Sequence, residues 1–407
     1  MVESAPPAAA LEGVRVLDLT ANHAAYAGRL LADLGADVIR VEPPEGSPVR
    51  RLPPRGASDG TGGFAHAFLD AGKRSVMLDP NVEADRARFL DLAATSDIVF
   101  HAPLDASVTA FPIEQLRERN PRLILASISP FGLNGPRAGD VASDLTILAA
   151  GGLLSLGGYR DSEPIGIQGE QAHLASGIFA AAAALAALYA REHTNEGVWL
   201  DISGQECVAF ALEDAVPEWY IASRVRRRLG DEAREAGTGI YPCRDGHISM
   251  VAGRLGTAKA FTALTRWIAE SNVPGAASLL EPQWQDFRYR QSPEGIKRFA
   301  EIFGAFCRTR DKQQLYREGQ ARQIAIAPVN TLSDVFDDAQ LLSRGFFNGP
   351  FASESGEHAS YPGAPYRLSR TPARMRFPAP RLGEHNGTIL EDMSRVRHAS
   401  RSESSLV

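Results

Sequence analysis

Residues 14–42, VRVLDLTANHAAYAGRLLADLGADVIRVE, decide the fold. Residues 14–19 (VRVLDL) and 37–42 (DVIRVE) are short aliphatic, β-branched runs, and residues 24–34 between them carry a helical period that stops at Gly35. Two strands joined by one helix form a βαβ unit, which places the strands parallel in one sheet. The same alternation continues outward. Residues 75–78, 97–100 and 123–127 read as further strands and 82–95 as a helix, so the amino-terminal part of the chain predicts a parallel α/β sheet. Such sheets bind ligands at the carboxyl ends of their strands. Residues 21–23, 42–51, 101–103 and 129–131 therefore form one candidate rim.

Helices at 143–154 and 173–192 follow, the second about 30 Å long at 1.5 Å per residue. Its run AAAALAAL at 181–188 suits close core packing. A strand returns at 198–202, and from Pro217 the composition changes to an arginine cluster (Arg224, Arg226, Arg227, Arg228) and an acidic stretch, which reads as a linker. Residues 239–251 (GIYPCRDGHISMV) read as a hairpin, because Asp245-Gly246 supplies the positive φ of a tight turn. Helices at 257–269, 293–307 and 311–319, with a strand at 324–329, complete a smaller α+β domain. The predicted division is residues 1–216 with 331–407 for the large domain and 217–330 for the small one.

The chain has 407 residues, 44% hydrophobic and 23% charged, which is the balance of a globular protein with a sizeable core. Forty-nine acidic against 43 basic side chains leave a net charge of −6, so no positive field draws nucleic acid, and none is expected as a partner. The longest nearly uncharged stretch, 174–190, has 17 residues, short of the roughly 20 a spanning helix needs. No membrane association is expected. The first ten residues lack a secretory pattern, and the expected location is cytoplasmic. Cys207, Cys243 and Cys307 stand far apart and read as buried thiols. No phosphate-loop, nucleophile-elbow or zinc-helix motif occurs, no two histidines lie four apart, and no metal is expected. The turn after the first strand carries no glycine, which argues against a dinucleotide. The loop GASDGTGG (56–63) has no strand directly before it and no clear helix directly after it, and reads as a surface loop.

Taken in order, a set of segments carries a resemblance. They are LEGVRVLDL (11–19), LADLGADVIRVE (31–42), GKRS (72–75) with Leu78-Asp79, ILASIS (124–129), GLNGP (132–136), ALAAL (184–188), DIS (201–203), YPC (241–243), APV (327–329) and LGEH (382–385). Over nearly its full length the chain resembles the class III CoA-transferase family of the CaiB/BaiF type. That resemblance implies a large Rossmann-like domain and a smaller one, joined by long linkers in an interlocked dimer. It also implies transfer of CoA from a thioester to a small carboxylic acid, with coenzyme A or acyl-CoA as substrate and no permanently bound cofactor.

The family's nucleophile is an aspartate four residues before a glycine at the start of a long Ala/Leu helix. Here the segment is AHLASG (172–177), and His173 holds that position. The carboxylate of an aspartate attacks the thioester to give a mixed anhydride, and CoA then attacks the aspartyl carbonyl and rides there as a thioester. An imidazole has no carbonyl carbon; it accepts an acyl group or a proton but cannot carry CoA. Glu170 is the nearest carboxylate, and in an extended segment three residues span about 10 Å, too far to substitute. In the related α-methylacyl-CoA racemases the catalytic histidine lies in a segment matching Ser143-Asp144, and its partner aspartate matches His173, so both racemase positions differ.

For CoA binding, Lys73 and Arg74 match the segment along the adenine and ribose, and Arg50 an arginine after the second strand. Asn22 and His23 match pocket-lining residues after the first strand, while Ala102 and Pro103 replace the usual Asn-Phe. Gly237 and Gly239 match a glycine-rich loop over the active site. The structural alternatives are a solvated Lys73-Arg74 pair, a salt-bridged surface Arg50 and a satisfied structural His23. Three functions follow: a subunit of a heteromeric CoA-transferase whose homologous partner supplies the carboxylate; an autonomous isomerase, lyase or hydrolase of CoA thioesters using His173 as base or acyl acceptor; and a non-catalytic acyl-CoA-binding or scaffold protein. The corresponding assemblies are a homodimer or a heterodimer with a homologous chain.

Overall fold

The computed structural model describes residues 9–20, 24–52, 63–104, 111–230, 232–253, 258–352 and 358–391. The chain forms two compact units, Met1–Ser155 with Ile165–Arg226 and Leu342–Val407, and Leu156–Pro164 with Arg227–Leu341.

The first unit is built on six parallel strands, β1 (Arg15–Leu19), β2 (Asp37–Glu42), β3 (Arg74–Met77), β4 (Ile98–His101), β5 (Ile124–Ser129) and β6 (Trp199–Ser203). Their order is 3-2-1-4-5-6, that of a doubly wound sheet, and β2 spans the residues its sequence pattern predicts. Among the described residues this unit has the helices α1 (Ala25–Asp33), α2 (Phe64–Leu69), α3 (Glu83–Ala94), α4 (Leu116–Arg119), α5 (Asp144–Ala150), α6 (Gln171–Thr194), α7 (Gly204–Ala209) and α8 (Ala215–Ala222). Alternation along the strands sorts the core into two faces. Val16, Val38, Ile98 and Phe100 pack on α1 and on Ala180, Ala181 and Ala184 of α6. Leu17, Leu19, Val99 and Leu125 pack on Phe89 and Leu92 of α3 and on Leu116 of α4.

Two local expectations are corrected. A helix, α2, does follow the glycine loop directly, although the loop residues 56–62 lie outside the described set. The chain at Pro217 is not yet a linker, because proline is tolerated in the first turn of a helix and α8 runs on to Ala222. By length and composition α6 could cross a membrane, yet its alanines are packed on the sheet.

The second unit holds a three-stranded antiparallel sheet, β7 (Thr238–Cys243), β8 (Gly246–Val251) and β9 (Ala325–Pro328). Helices α9 (Ala258–Ala269), α10 (Phe287–Gln291), α11 (Pro293–Arg308), α12 (Lys312–Ala321) and α13 (Leu332–Phe336) accompany it. Phe299, Phe303 and Phe306 recur at helical spacing along α11 and fill the core with Phe261, Trp267 and Trp284. Through α14 (Ala339–Ser343) the chain returns to the first unit, where β10 (Phe347–Ala352) and β11 (His358–Pro362) pair antiparallel.

Candidate active site

The long helix α6 sets the position of the site. Near its carboxyl end Arg191 binds Asp97 Oδ1 at 2.7 Å and the Arg122 carbonyl at 3.1 Å, both just before β4 and β5 begin. The helix therefore runs against the strand direction, and its first turn lies toward their carboxyl ends. Gly177, one turn into α6, meets α1 so closely that a Cβ there would sit 3.0 Å from Tyr26 Cβ and 3.1 Å from the Ala27 nitrogen. The small residue is needed for that approach.

At the start of α6, Glu170 is the N-cap and bends the chain into the helix with φ −85° and ψ 62°. The extended spacing expected from sequence does not hold: Glu170 Oε2 lies 2.5 Å from His173 Nδ1. A second carboxylate comes from Asp144, the first residue of α5, which Ser143 starts with a reciprocal cap to Thr146. Asp144 Oδ1 accepts the His173 backbone N–H at 2.9 Å and lies 3.7 Å from Nδ1. It thereby satisfies one of the donors that a helix start leaves open. His173 and Asp144 are buried, whereas Glu170 is more than half exposed.

Asp144, Glu170 and His173 bring one potential ligand atom each within 4.8 Å of one another, a cluster that the search for paired histidines does not detect. Its members already bind each other. A carboxylate accepts, so the ring donates from Nδ1 and is oriented as a histidine is in a carboxylate–histidine pair, with Nε2 as the basic nitrogen. The arrangement suits proton transfer and offers no carbonyl on residue 173 for CoA.

The residues expected to hold the nucleotide of CoA are elsewhere engaged. Lys73 is fully buried, and its ammonium donates to Asp18 Oδ2 at 2.7 Å, Asp70 Oδ1 at 2.8 Å and the Ala25 carbonyl at 2.8 Å. All three of its protons are used. Arg50 is buried rather than at the surface: it binds Glu42 with both Nε and Nη2 at 2.7 Å, and also His66 and the Pro380 carbonyl. Arg40, beside Asp18 in register, completes the network with a 2.8 Å bond. Burial pushes the Asp70 carboxyl up, but Lys73 and Arg40 outweigh it and hold it well below its ordinary value. Glu42 is likewise pushed up by burial and held low overall by Arg50 and Arg40. Arg74, more exposed, pairs with Asp37. These side chains tie β1, β2, β3 and α2 together. Asn22 and His23 lie outside the described residues.

Gly237 and Gly239 belong to the second unit, where Gly237 has φ +88° and a Cβ would strike the Phe261 ring at 2.9 Å. Packing within that unit accounts for this glycine. On the first unit's rim, His101 ends β4 and its Nδ1 lies 3.2 Å from Ser127 Oγ, which accepts the Trp199 Nε1 hydrogen at 2.9 Å. Burial pushes the His101 imidazole down to about 4, so the ring is neutral at pH 7. Of the three cysteines expected to be buried only Cys307 is, whereas Cys207 and Cys243 are partly exposed; partial burial together with Glu206 raises the Cys207 thiol, beside Ser176, to about 11, which leaves it little thiolate character.

Comparison with known proteins places these features in context. The model of CoA-transferase family III matches residues 11–386. The succinyl-CoA:(R)-benzylsuccinate CoA-transferase subunit BbsE of Thauera aromatica is 34% identical over 380 residues, covering 92% of each chain. The succinate–glutarate CoA-transferase of Agrobacterium fabrum is 27% identical over 402 residues, 96% of this chain and 97% of that one. Among solved structures, a CaiB/BaiF family protein from Brucella suis superposes with a TM-score of 0.79 at 25% identity, covering 94% of this chain and 98% of the other.

Proposed function

The chain belongs to CoA-transferase family III, and we propose that it is one subunit of a heteromeric transferase that moves CoA from succinyl-CoA to a dicarboxylic or aromatic-substituted acid. What supports this reading is the resemblance that matches His173 to the family nucleophile, together with the chemistry of an imidazole, which has no carbonyl carbon on which CoA can ride. The helix that carries His173 is firmly placed, with Gly177 packed on α1 and the first turn capped by Asp144. A homologous partner bearing the aspartate then runs the covalent steps. The relative from Thauera aromatica is itself described as a subunit, and its acceptor as benzylsuccinate.

Exposed large apolar side chains support a second chain. Trp219, Tyr220 and Ile221 of α8 are more than half exposed, as are Phe210 before it and Tyr189 on α6. Several such side chains exposed on neighbouring stretches of chain, as from Phe210 to Ile221, are what an interaction surface presents. The deciding experiment purifies the chain alone and together with an aspartate-bearing homologue encoded beside it, and measures transfer from succinyl-CoA. Transfer is expected only from the pair, and full activity of the isolated chain defeats the proposal.

One observation favours a second reading. The Glu170 carboxylate, 2.5 Å from the His173 ring, stands about one hydrogen-bond length from where the family's carboxylate would sit, since Nδ1 of histidine and Oδ1 of aspartate occupy equivalent positions on Cγ. In that reading the chain is an autonomous CoA-thioester enzyme with Glu170 and His173 as its working pair.

A further inference from the structure

We propose that His101 donates a hydrogen bond from Nε2 to a carbonyl oxygen of a bound CoA thioester, in the crevice where the strand order reverses. The inference deepens the proposed function and rests on the chain binding such a thioester.

The crevice follows from topology. β1 and β4 are neighbours, paired at Leu19 and His101. After β1 the chain enters α1 on the face of Val16, whereas after β4 it leads to α4 on the opposite face, against Leu17 and Leu19. Connections that leave in opposite directions open a gap beyond the two strand ends. His101 is the last residue of β4, and its side chain is only 7% exposed.

The proton on the ring is placed by its neighbours. An indole N–H only donates, so Ser127 Oγ accepts the Trp199 bond; its own hydroxyl proton has no acceptor other than His101 Nδ1 among the described residues, and we assign it there, which leaves no buried hydroxyl proton unused. Nδ1 is thus the accepting nitrogen and Nε2 carries the hydrogen. Among the described residues, Ser127 is the sole hydrogen-bond partner given to the ring, and it engages Nδ1. Burial keeps the imidazole neutral at pH 7. A neutral single donor matches a carbonyl oxygen; a phosphate calls for charged donors. CoA offers such oxygens in its two pantetheine amides, and the acyl thioester offers another.

The test uses the full-length chain labelled with ¹⁵N-histidine, with His101→Gln to assign the signal. The expected spectrum of the free protein shows the Nε2–H tautomer, and Nε2 shifts on addition of coenzyme A or of succinyl-CoA. A shift with both assigns the bond to the pantetheine arm, and a shift with succinyl-CoA alone to the acyl carbonyl. Calorimetry is expected to show His101→Phe weakening binding about tenfold and Ser127→Ala about threefold, the scale of one hydrogen bond. An Nδ1–H tautomer, or an unmoved Nε2 while calorimetry records binding, overturns the proposal alone. Absence of any binding by the wild type overturns it together with the thioester reading.

Discussion

Glu170 Oε2 and His173 Nδ1 lie 2.5 Å apart at the first turn of α6. That contact makes the covalent chemistry directly testable. After incubation with succinyl-CoA and borohydride quenching, mass spectrometry of the isolated chain is expected to show no reduced side chain at residue 170 or 173. His173→Asp is expected to acquire the mark at 173 together with transferase activity. A mark at Glu170 in the wild type transfers the assignment to the autonomous enzyme.

Gly177→Ala tests the seating of α6. Its methyl would press on the α1 backbone at Ala27, which cannot yield as a side-chain tip does. A loss of about 1–3 kcal/mol in urea unfolding is expected, the usual cost of overpacking. A loss below a few tenths of a kcal/mol means that the two helices are not held at this distance.

Lys73→Met leaves Asp18 and Asp70 without their shared ammonium in a fully buried setting. Uncompensated buried charge costs about 3–5 kcal/mol. Arg74→Ala, by contrast, breaks a pair with roughly a third of each side chain exposed and is expected to cost less than about 1 kcal/mol. Equal effects of the two substitutions contradict the separation made here between scaffold and surface.

His101 gives stability a dependence on pH. Its folded value of about 4 lies below the ordinary value of about 6.5, so between these the unfolded chain binds more protons. The contribution is whole above about pH 6.5 and is lost as pH falls toward 4, by up to about 3 kcal/mol. Subtracting the stability curve of His101→Phe from that of the wild type isolates this slope. A flat difference curve removes the neutral buried imidazole from the account.

Charges placed on α8 test the second chain. Tyr220→Glu with Ile221→Glu is expected to abolish co-purification with the aspartate-bearing homologue while leaving the circular dichroism of the chain unchanged, because neither side chain is buried in it. Retained association moves the interface to another surface.

Much of the first unit was legible. β2 carries its own bounds in DVIRVE, and the β7–β8 hairpin falls within residues 239–251 as its pattern predicts, although its turn is Arg244-Asp245, one residue before the expected Asp245-Gly246, and Gly246 already pairs with Cys243. The buried network was not. Arg40 and Glu42, two apart on β2, share a face, but Arg50, which binds Glu42, is held in turn by the Pro380 carbonyl 330 residues on, which no local pattern reveals. Asp144 meets His173 across 29 residues of sequence, joined only by the packing of α5 and α6. Glu170 was misplaced because an N-cap turns the chain through a bend that an extended spacing ignores.

The anchors of α6 lie away from the side chain of residue 173: Arg191 grips the amino-terminal ends of β4 and β5, Gly177 rests on α1, and Asp144 holds a main-chain amide that every residue but proline provides. Side chains can therefore be exchanged at this position as bits are in a drill chuck, with the tool changed and the grip untouched.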